Sequence, residues 1–173
     1  MDDPHPGLDI PQILRDTPTL LRLLVKGFNE ETLQWTPNPE RWSASMVIAH
    51  LAESEVACFR TRLIRTALEE LPLLEAYDQW AFLRTQAAFP VESALHRFEM
   101  ERATTLRFLE NQSTEVFERR CTHRELGVLT FANLLHEFAF HDMGHIRQIL
   151  ELCRSHAYYP KMGGWKSYYT VSP

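Results

Sequence analysis

Apolar residues recur at helical spacing along most of the chain, and no alternation of apolar and polar positions runs longer than a few residues. The fold class predicted by that pattern is all-α. Leu14, Thr17, Leu21, Leu24 and Phe28 trace the first helical face, over about residues 9–28. Inside it, Thr17 followed by Pro18 resembles an N-cap with proline at the first helical position, so the region is one kinked helix or two short ones. Prolines 37 and 39 make Trp35–Pro39 a loop.

Ser43 then stands as an N-cap, and Met46, Val47, His50, Leu51, Ser54, Ala57, Cys58, Thr61 and Ile64 follow one face of a long helix ending near Leu68. Pro72 and Pro90 bracket a short connecting helix over Asp78–Phe89. A third long helix starts near Pro90 and turns Val91, Leu95, Phe98, Leu106 and Leu109 inward. Residues 111–129 are polar and read as an irregular crossover. The fourth helix runs from about Thr130 to Ser155, with Leu134, Phe138, His141, His145, Gln148, Ile149 and Leu152 on one face. A tail over about residues 156–173 carries Tyr158, Tyr159, Trp165, Tyr168 and Tyr169, too aromatic for a solvated linker, so it is expected to pack on the bundle or on a second subunit.

Composition narrows the function classes. At 173 residues and 45% hydrophobic content, the chain is one domain's worth with one sizeable core, and residues 1–173 are taken as a single unit. Eighteen basic against 23 acidic residues give a net charge of −5, and no basic stripe forms, which argues against nucleic acid as a partner. No apolar run reaches the roughly 20 residues that span a bilayer, and Asp2, Asp3 and Pro4 do not begin a secretory signal, so a soluble, cytoplasmic protein with no membrane partner is expected. Cys58, Cys121 and Cys153 are odd in number and widely spaced; they read as small buried hydrophobes.

The candidate chemistry lies on the second and fourth long helices. His141 and His145 are four residues apart, which puts both imidazoles on one face, one turn apart. By itself such a pair fits surface or hydrogen-bonded core histidines as well as a metal site. His50 adds an imidazole to the apolar stripe of another helix, where burial without a partner is costly. Three inward histidines on facing helices would give a bundle-core site for Zn, Ni, Cu or Fe, with positions left for water or substrate.

The segment Arg41-Trp42-Ser43 leading to His50-Leu51-Ala52-Glu53-Ser54-Glu55, followed by His141-Asp142-Met143-Gly144-His145-Ile146-Arg147-Gln148-Ile149, resembles the DinB-like (YfiT-like) superfamily. The likeness covers residues 10–152 in order and spacing, and is nearer to the subgroup reading HDxxHxxQI. The resemblance implies a four-helix bundle with up-down-down-up connectivity, a divalent metal (nickel, zinc or iron) on His50, His141 and His145, and a homodimer. It also implies one of two activities: metal-dependent hydrolysis, or transfer of a low-molecular-weight thiol to an electrophile, as in bacillithiol- and mycothiol-dependent members. Where many members read HRGQ this chain reads HIRQ, a departure that touches activity and leaves the metal ligands in place.

Further polar residues lie within reach of such a centre. Gln148 would orient a ligand or a water, or else join two helices. Glu137, one turn before His141, would accept a proton, hold a water, serve as a fourth ligand, or be solvated. Ser54, one turn after His50, would pack or face the cavity. Asp142 is turned about 100° from His141, toward a neighbouring helix or solvent. His5, His96, His123, His136 and His156 fit no ligand spacing with the three and are expected at the surface or in caps. The competing expectation is a non-enzymatic metal- or ligand-binding bundle in which the ion is structural.

Overall fold

Residues 10–83 and 90–173 are described by the structure, a computed structural model. In chain order the helices are α1 (Ile10–Val25), α2 (Glu30–Gln34), α3 (Ala44–Ser54), α4 (Thr61–Leu68), α5 (Gln79–Leu83), α6 (Val91–Glu110) and α7 (Phe131–Ala157). A π-helical turn, Glu55–Arg60, joins α3 to α4. Of the expected Asp78–Phe89 helix, α5 is the described part; residues 84–89, and His5, lie outside the described residues.

Ion pairs fix the directions of the four long segments. Arg15–Glu110 and Arg22–Glu99 set α1 antiparallel to α6. Glu53–Arg97 and Arg60–Glu101 rise together, so α3–α4 and α6 are parallel. His50 meets His141 while Phe59 stacks on Phe138, so α3–α4 and α7 are antiparallel. The result is a four-helix bundle connected up-down-down-up.

Several starts and stops follow from local chemistry. The Ser43 hydroxyl accepts the Met46 N–H, and Thr130 with Asn133 forms a reciprocal capping box at the start of α7. Thr17-Pro18 opens no new helix, because α1 runs through it unbroken. The Thr17 hydroxyl instead donates to the Ile13 carbonyl. Pro18 has no N–H to offer Leu14, whose carbonyl therefore stays free for a partner outside the helix.

The inward face of the second long segment departs from plain α-helical phase. Cys58, Phe59, Leu63 and Thr66 are buried, whereas Ala57 and Thr61, expected inside, are exposed. The π-helical turn is the cause: one extra residue rotates the stripe by about 100°, and the Thr61 hydroxyl reaches back five residues to the Val56 carbonyl at 2.7 Å.

The crossover over 111–129 holds more order than expected. After a 3₁₀ turn, Thr114–Glu118, come β2 (Arg120–His123) and β3 (Gly127–Thr130), an antiparallel pair with Cys121 opposite Leu129; β1 (Leu73–Leu74) adds to β2 in parallel. Strands of two to four residues leave too little alternation to read, and β1 pairs across some fifty residues of sequence. Period-two alternation buries Cys121 and His123, so His123 is not the surface residue expected. His96 is exposed, but His136 is half-buried and His156 stacks on Trp35 with centroids 5.0 Å apart.

Two apolar clusters fill the bundle, one around Leu21, Val47, Leu51, Leu95, Phe98 and Ile149, the other around Leu14, Phe59, Leu63, Phe131, Leu135 and Phe138. Each fully buried side chain of this kind stabilises the fold by about 1.5–3 kcal/mol. All three cysteines are buried and free. The tail packs on the bundle through both backbone and ring contacts: Arg154 donates to the Thr170 carbonyl, Ser172 N–H donates to Glu151, and the Tyr158 ring stands edge-on to Phe28 with centroids 6.0 Å apart. Tyr158, Trp165, Tyr168 and Tyr169 remain exposed. Among the described residues, no helix is long and apolar enough to cross a membrane.

Candidate metal centre

His50 from α3 and His141 and His145 from α7 bring their Nε2 atoms together. The His141 Nε2 lies 3.2 Å from the Nε2 of His50 and 3.2 Å from that of His145. Nitrogen ligands at about 2.0–2.1 Å from a tetrahedral ion would stand about 3.3 Å apart, so the spacing suits a small divalent cation. Among the described residues, no other set of three histidine, cysteine or carboxylate side chains converges in this way.

The hydrogen bonding of the rings agrees with that spacing. The Nδ1–H of His145 donates to Gln148 Oε1 at 2.8 Å, which leaves its Nε2 with a free lone pair at the centre. His141 Nδ1 is buried with no partner, while its Nε2 faces two other Nε2 atoms. Three imidazoles cannot satisfy one another with the protons available to neutral rings, whereas one cation would take all three lone pairs.

Burial holds the rings neutral. His50 is pushed down to about 3, first by burial and then by the His145 imidazole; His141 is pushed down to about 2 by burial and by its neighbours His145, His50 and Arg102. His145 is also lowered by burial, with Gln148 and Asp142 opposing.

Behind the histidines lies a buried ionic group that the sequence reading did not assemble. Asp142, fully buried, accepts from Arg102 Nη1 at 2.7 Å and Nη2 at 3.0 Å, and Glu55 Oε2 accepts from Arg102 Nε at 2.9 Å. A fourth bond runs from Arg102 Nη1 to the Leu14 carbonyl freed by Pro18, at 2.7 Å. The guanidinium sits 4.7 Å from the Phe98 ring and 4.6 Å from the Phe138 ring, so it bridges the two apolar clusters. Burial raises the Glu55 carboxyl despite this arginine. The signal available in the sequence was an arginine at 102, in register with Val91, Leu95 and Phe98 on an otherwise apolar face.

Aromatic rings close the other side. Trp42 packs against His50 with centroids 4.8 Å apart and lies nearly parallel to His145 at 6.3 Å, and Trp80 stands edge-on to Trp42 at 5.0 Å. Tyr77 lies 6.3 Å from His50, and burial pushes its hydroxyl up to about 12. A cleft of about 910 Å³ reaches His141 and His145, with Glu137, Gln148, Arg41 and Arg147 on its walls.

Gln148 thus touches a histidine of the centre directly. Glu137 stands on the cleft wall outside the cluster; its side chain reaches solvent, yet partial burial in the wall raises its carboxyl, with Arg62 opposing. Ser54 is buried and donates to the Leu51 carbonyl, so it packs in the core. Asp142 meets the neighbouring helix, through Arg102.

The chain belongs to the DinB superfamily, whose family model matches residues 13–149. It is 29% identical over 143 residues to a protein of Oceanobacillus iheyensis named "Putative metal-dependent hydrolase", with 82% of each chain covered. A protein of Geobacillus thermodenitrificans with the same name is 26% identical, covering 80% of this chain and 79% of the relative. Among solved structures, YfiT from Bacillus subtilis superposes with a TM-score of 0.76 at 22% identity, over 88% of this chain and 92% of that one. It is described as "a probable metal-dependent hydrolase with an unusual four-helix bundle topology", and the likeness shows that fold here.

Proposed function

We propose that His50, His141 and His145 hold one divalent transition metal, zinc, nickel or iron, and that the protein is a metal-dependent hydrolase acting on a substrate bound in the cleft. The reading is carried by the convergence of three Nε2 atoms beside an open cleft, that of His141 lying 3.2 Å from each of the other two. The names of the sequence relatives point the same way. When bound, such an ion supplies Lewis acidity, polarising a carbonyl and making a coordinated water acidic near neutral pH.

The protein's own groups do the rest. Gln148 keeps the His145 proton on Nδ1, so that Nε2 stays a ligand. Glu137, one helical turn before His141 and raised by its surroundings, is placed to take the proton of an attacking water and pass it to the leaving group. Trp42 packs on His50 and His145 and helps fix both rings. The histidine set has no carboxylate or thiolate among its converging ligand atoms, which favours a catalytic over a closed structural site.

An ion held by these three histidines would also accept a thiolate, so thiol transfer is the second reading. The protein loaded with zinc or nickel is assayed against a panel of activated esters and amides, and against thiols paired with an electrophile. Metal-dependent hydrolysis that falls about 100-fold or more in Glu137→Gln, with metal content unchanged, is the expected result. Hydrolysis that is indifferent to metal removal and to Glu137→Gln would overturn the hydrolase reading, and faster thiol transfer than hydrolysis would favour the second.

A further inference from the structure

The walls around the histidines are rich in hydrogen-bond donors that have nothing to bind. A second hollow of about 300 Å³ lies against the cleft, and Arg41, His145 and Gln148 line both. Arg41 and Arg147 are exposed on these walls, and neither has a carboxylate partner among the described residues. By contrast Arg22, Arg65, Arg97, Arg124 and the cleft's own Arg154 are in ion pairs. Arg62, Arg107, Arg119 and Arg120 also have no carboxylate partner among the described residues, but Arg62 and Arg119 donate to backbone carbonyls, Arg107 donates to Thr104, and all four lie outside both hollows.

Two further donors sit beside them. The Oε1 of Gln148 is committed to His145, so its amide NH₂ is the part left to donate. Trp42 is 6% exposed, its ring packed against His50 and His145, and its Nε1–H is buried with no acceptor. A buried donor without an acceptor is costly, and the residue that carries this one is among those lining the smaller hollow. The acids of the same walls do not cancel this excess. Glu151 is tied to Arg154 and to Ser172 N–H, Glu137 has the proton-accepting position near His141, and Glu40 is exposed.

We infer that the substrate is a small organic anion whose carboxylate or phosphate is held by Arg41 and Arg147, with Gln148 and Trp42 donating to its acceptor atoms, while its reacting group lies over the three histidines. Paired guanidinium groups suit either oxyanion, because both present several acceptor oxygens in the geometry of the guanidinium fork. This rests on the metal reading above and adds the class of molecule that the centre acts on.

The test uses cobalt-loaded protein, whose visible absorption changes when a thiolate binds the metal. Wild type and the Arg41→Gln/Arg147→Gln double variant are titrated with mercaptoacetate and with the neutral mercaptoacetamide. Wild type should bind the anion about tenfold or more tightly than the amide, and the double variant should lose that preference while holding the amide within about twofold. Inorganic phosphate that displaces mercaptoacetate but not mercaptoacetamide assigns the subsite to phosphate; any other response to phosphate assigns it to carboxylate. Equal affinities in wild type would overturn the inference. A preference that survives in the double variant would overturn it too, since chelation by the metal would then explain the result. Failure to take up cobalt would sink the metal reading itself and the inference with it.

Discussion

Arg102 donates through Nη1 to the carbonyl of Leu14, the one carbonyl that Pro18 releases from the ladder of α1. An interior proline, ordinarily a defect, is thus coupled to the arginine that joins α6 to Glu55 on the π-helical turn and to Asp142 beside the candidate metal ligand His141. Arg102→Leu leaves two buried carboxylates without their cation, and a loss of about 3–5 kcal/mol in urea unfolding is expected. Asp142→Asn should cost more than Glu55→Gln, because Asp142 uses both oxygens on Arg102 while Glu55 Oε1 is buried with no partner. A change under about 1 kcal/mol in Arg102→Leu would show that the group is not needed for packing.

Gln148 governs which nitrogen of His145 carries the proton. Replacing it with leucine removes the acceptor, and zinc affinity measured by chelator competition should fall about 10–100-fold, whereas Gln148→Glu, which keeps an acceptor oxygen, should hold or raise it. Unchanged affinity in Gln148→Leu would remove this role.

Acid should act on the metal-free protein through the buried imidazoles. Their folded-state values, about 3 for His50 and about 2 for His141, lie below the ordinary histidine value of about 6.5 that applies after unfolding. Between those limits the unfolded chain binds more protons than the folded one. Stability is therefore full above pH about 6.5 and declines as pH falls toward about 3. Urea midpoints of the stripped protein at pH about 7.5 and about 5.5 measure this, and His50→Leu should show a shallower decline. Equal slopes in the two proteins would contradict the assignment of a neutral, buried His50.

Neither Cys58 nor Cys153 should compete with the histidines for chemistry. Burial pushes the Cys58 thiol up to about 12 and the Cys153 thiol up to about 11, and both are nearly inaccessible. A disulfide reagent should label the native protein slowly and the urea-unfolded protein at once. Rapid native labelling of Cys58 would point to an opening near Phe59 and His141 that the packed structure does not contain.

The long helices and the three histidines were legible because each depends on local spacing: Ser43 and Thr130 cap where they should, and His141 and His145 share a face by periodicity alone. What could not be read depends on partners remote in sequence. The strands pair Leu73 with Thr122 across a span of chain that no short window covers. The π-helical turn shifts Phe59 and Leu63 inward, and nothing in the apolar pattern announces an extra residue. Arg102 stood in plain view on the apolar face of α6, yet its partners come from three other elements and one of them is a backbone carbonyl. The aromatic tail does meet the bundle, through the Tyr158 ring on Phe28, but the backbone bonds at Thr170 and Ser172 that also hold it have no signature in side-chain pattern.

The most direct measurement is the metal content of protein purified without a histidine tag and challenged with zinc and nickel, beside His145→Ala treated alike. About one tightly held ion per wild-type chain, and little in the variant, is the predicted result. Wild type that retains no more metal than His145→Ala would contradict it.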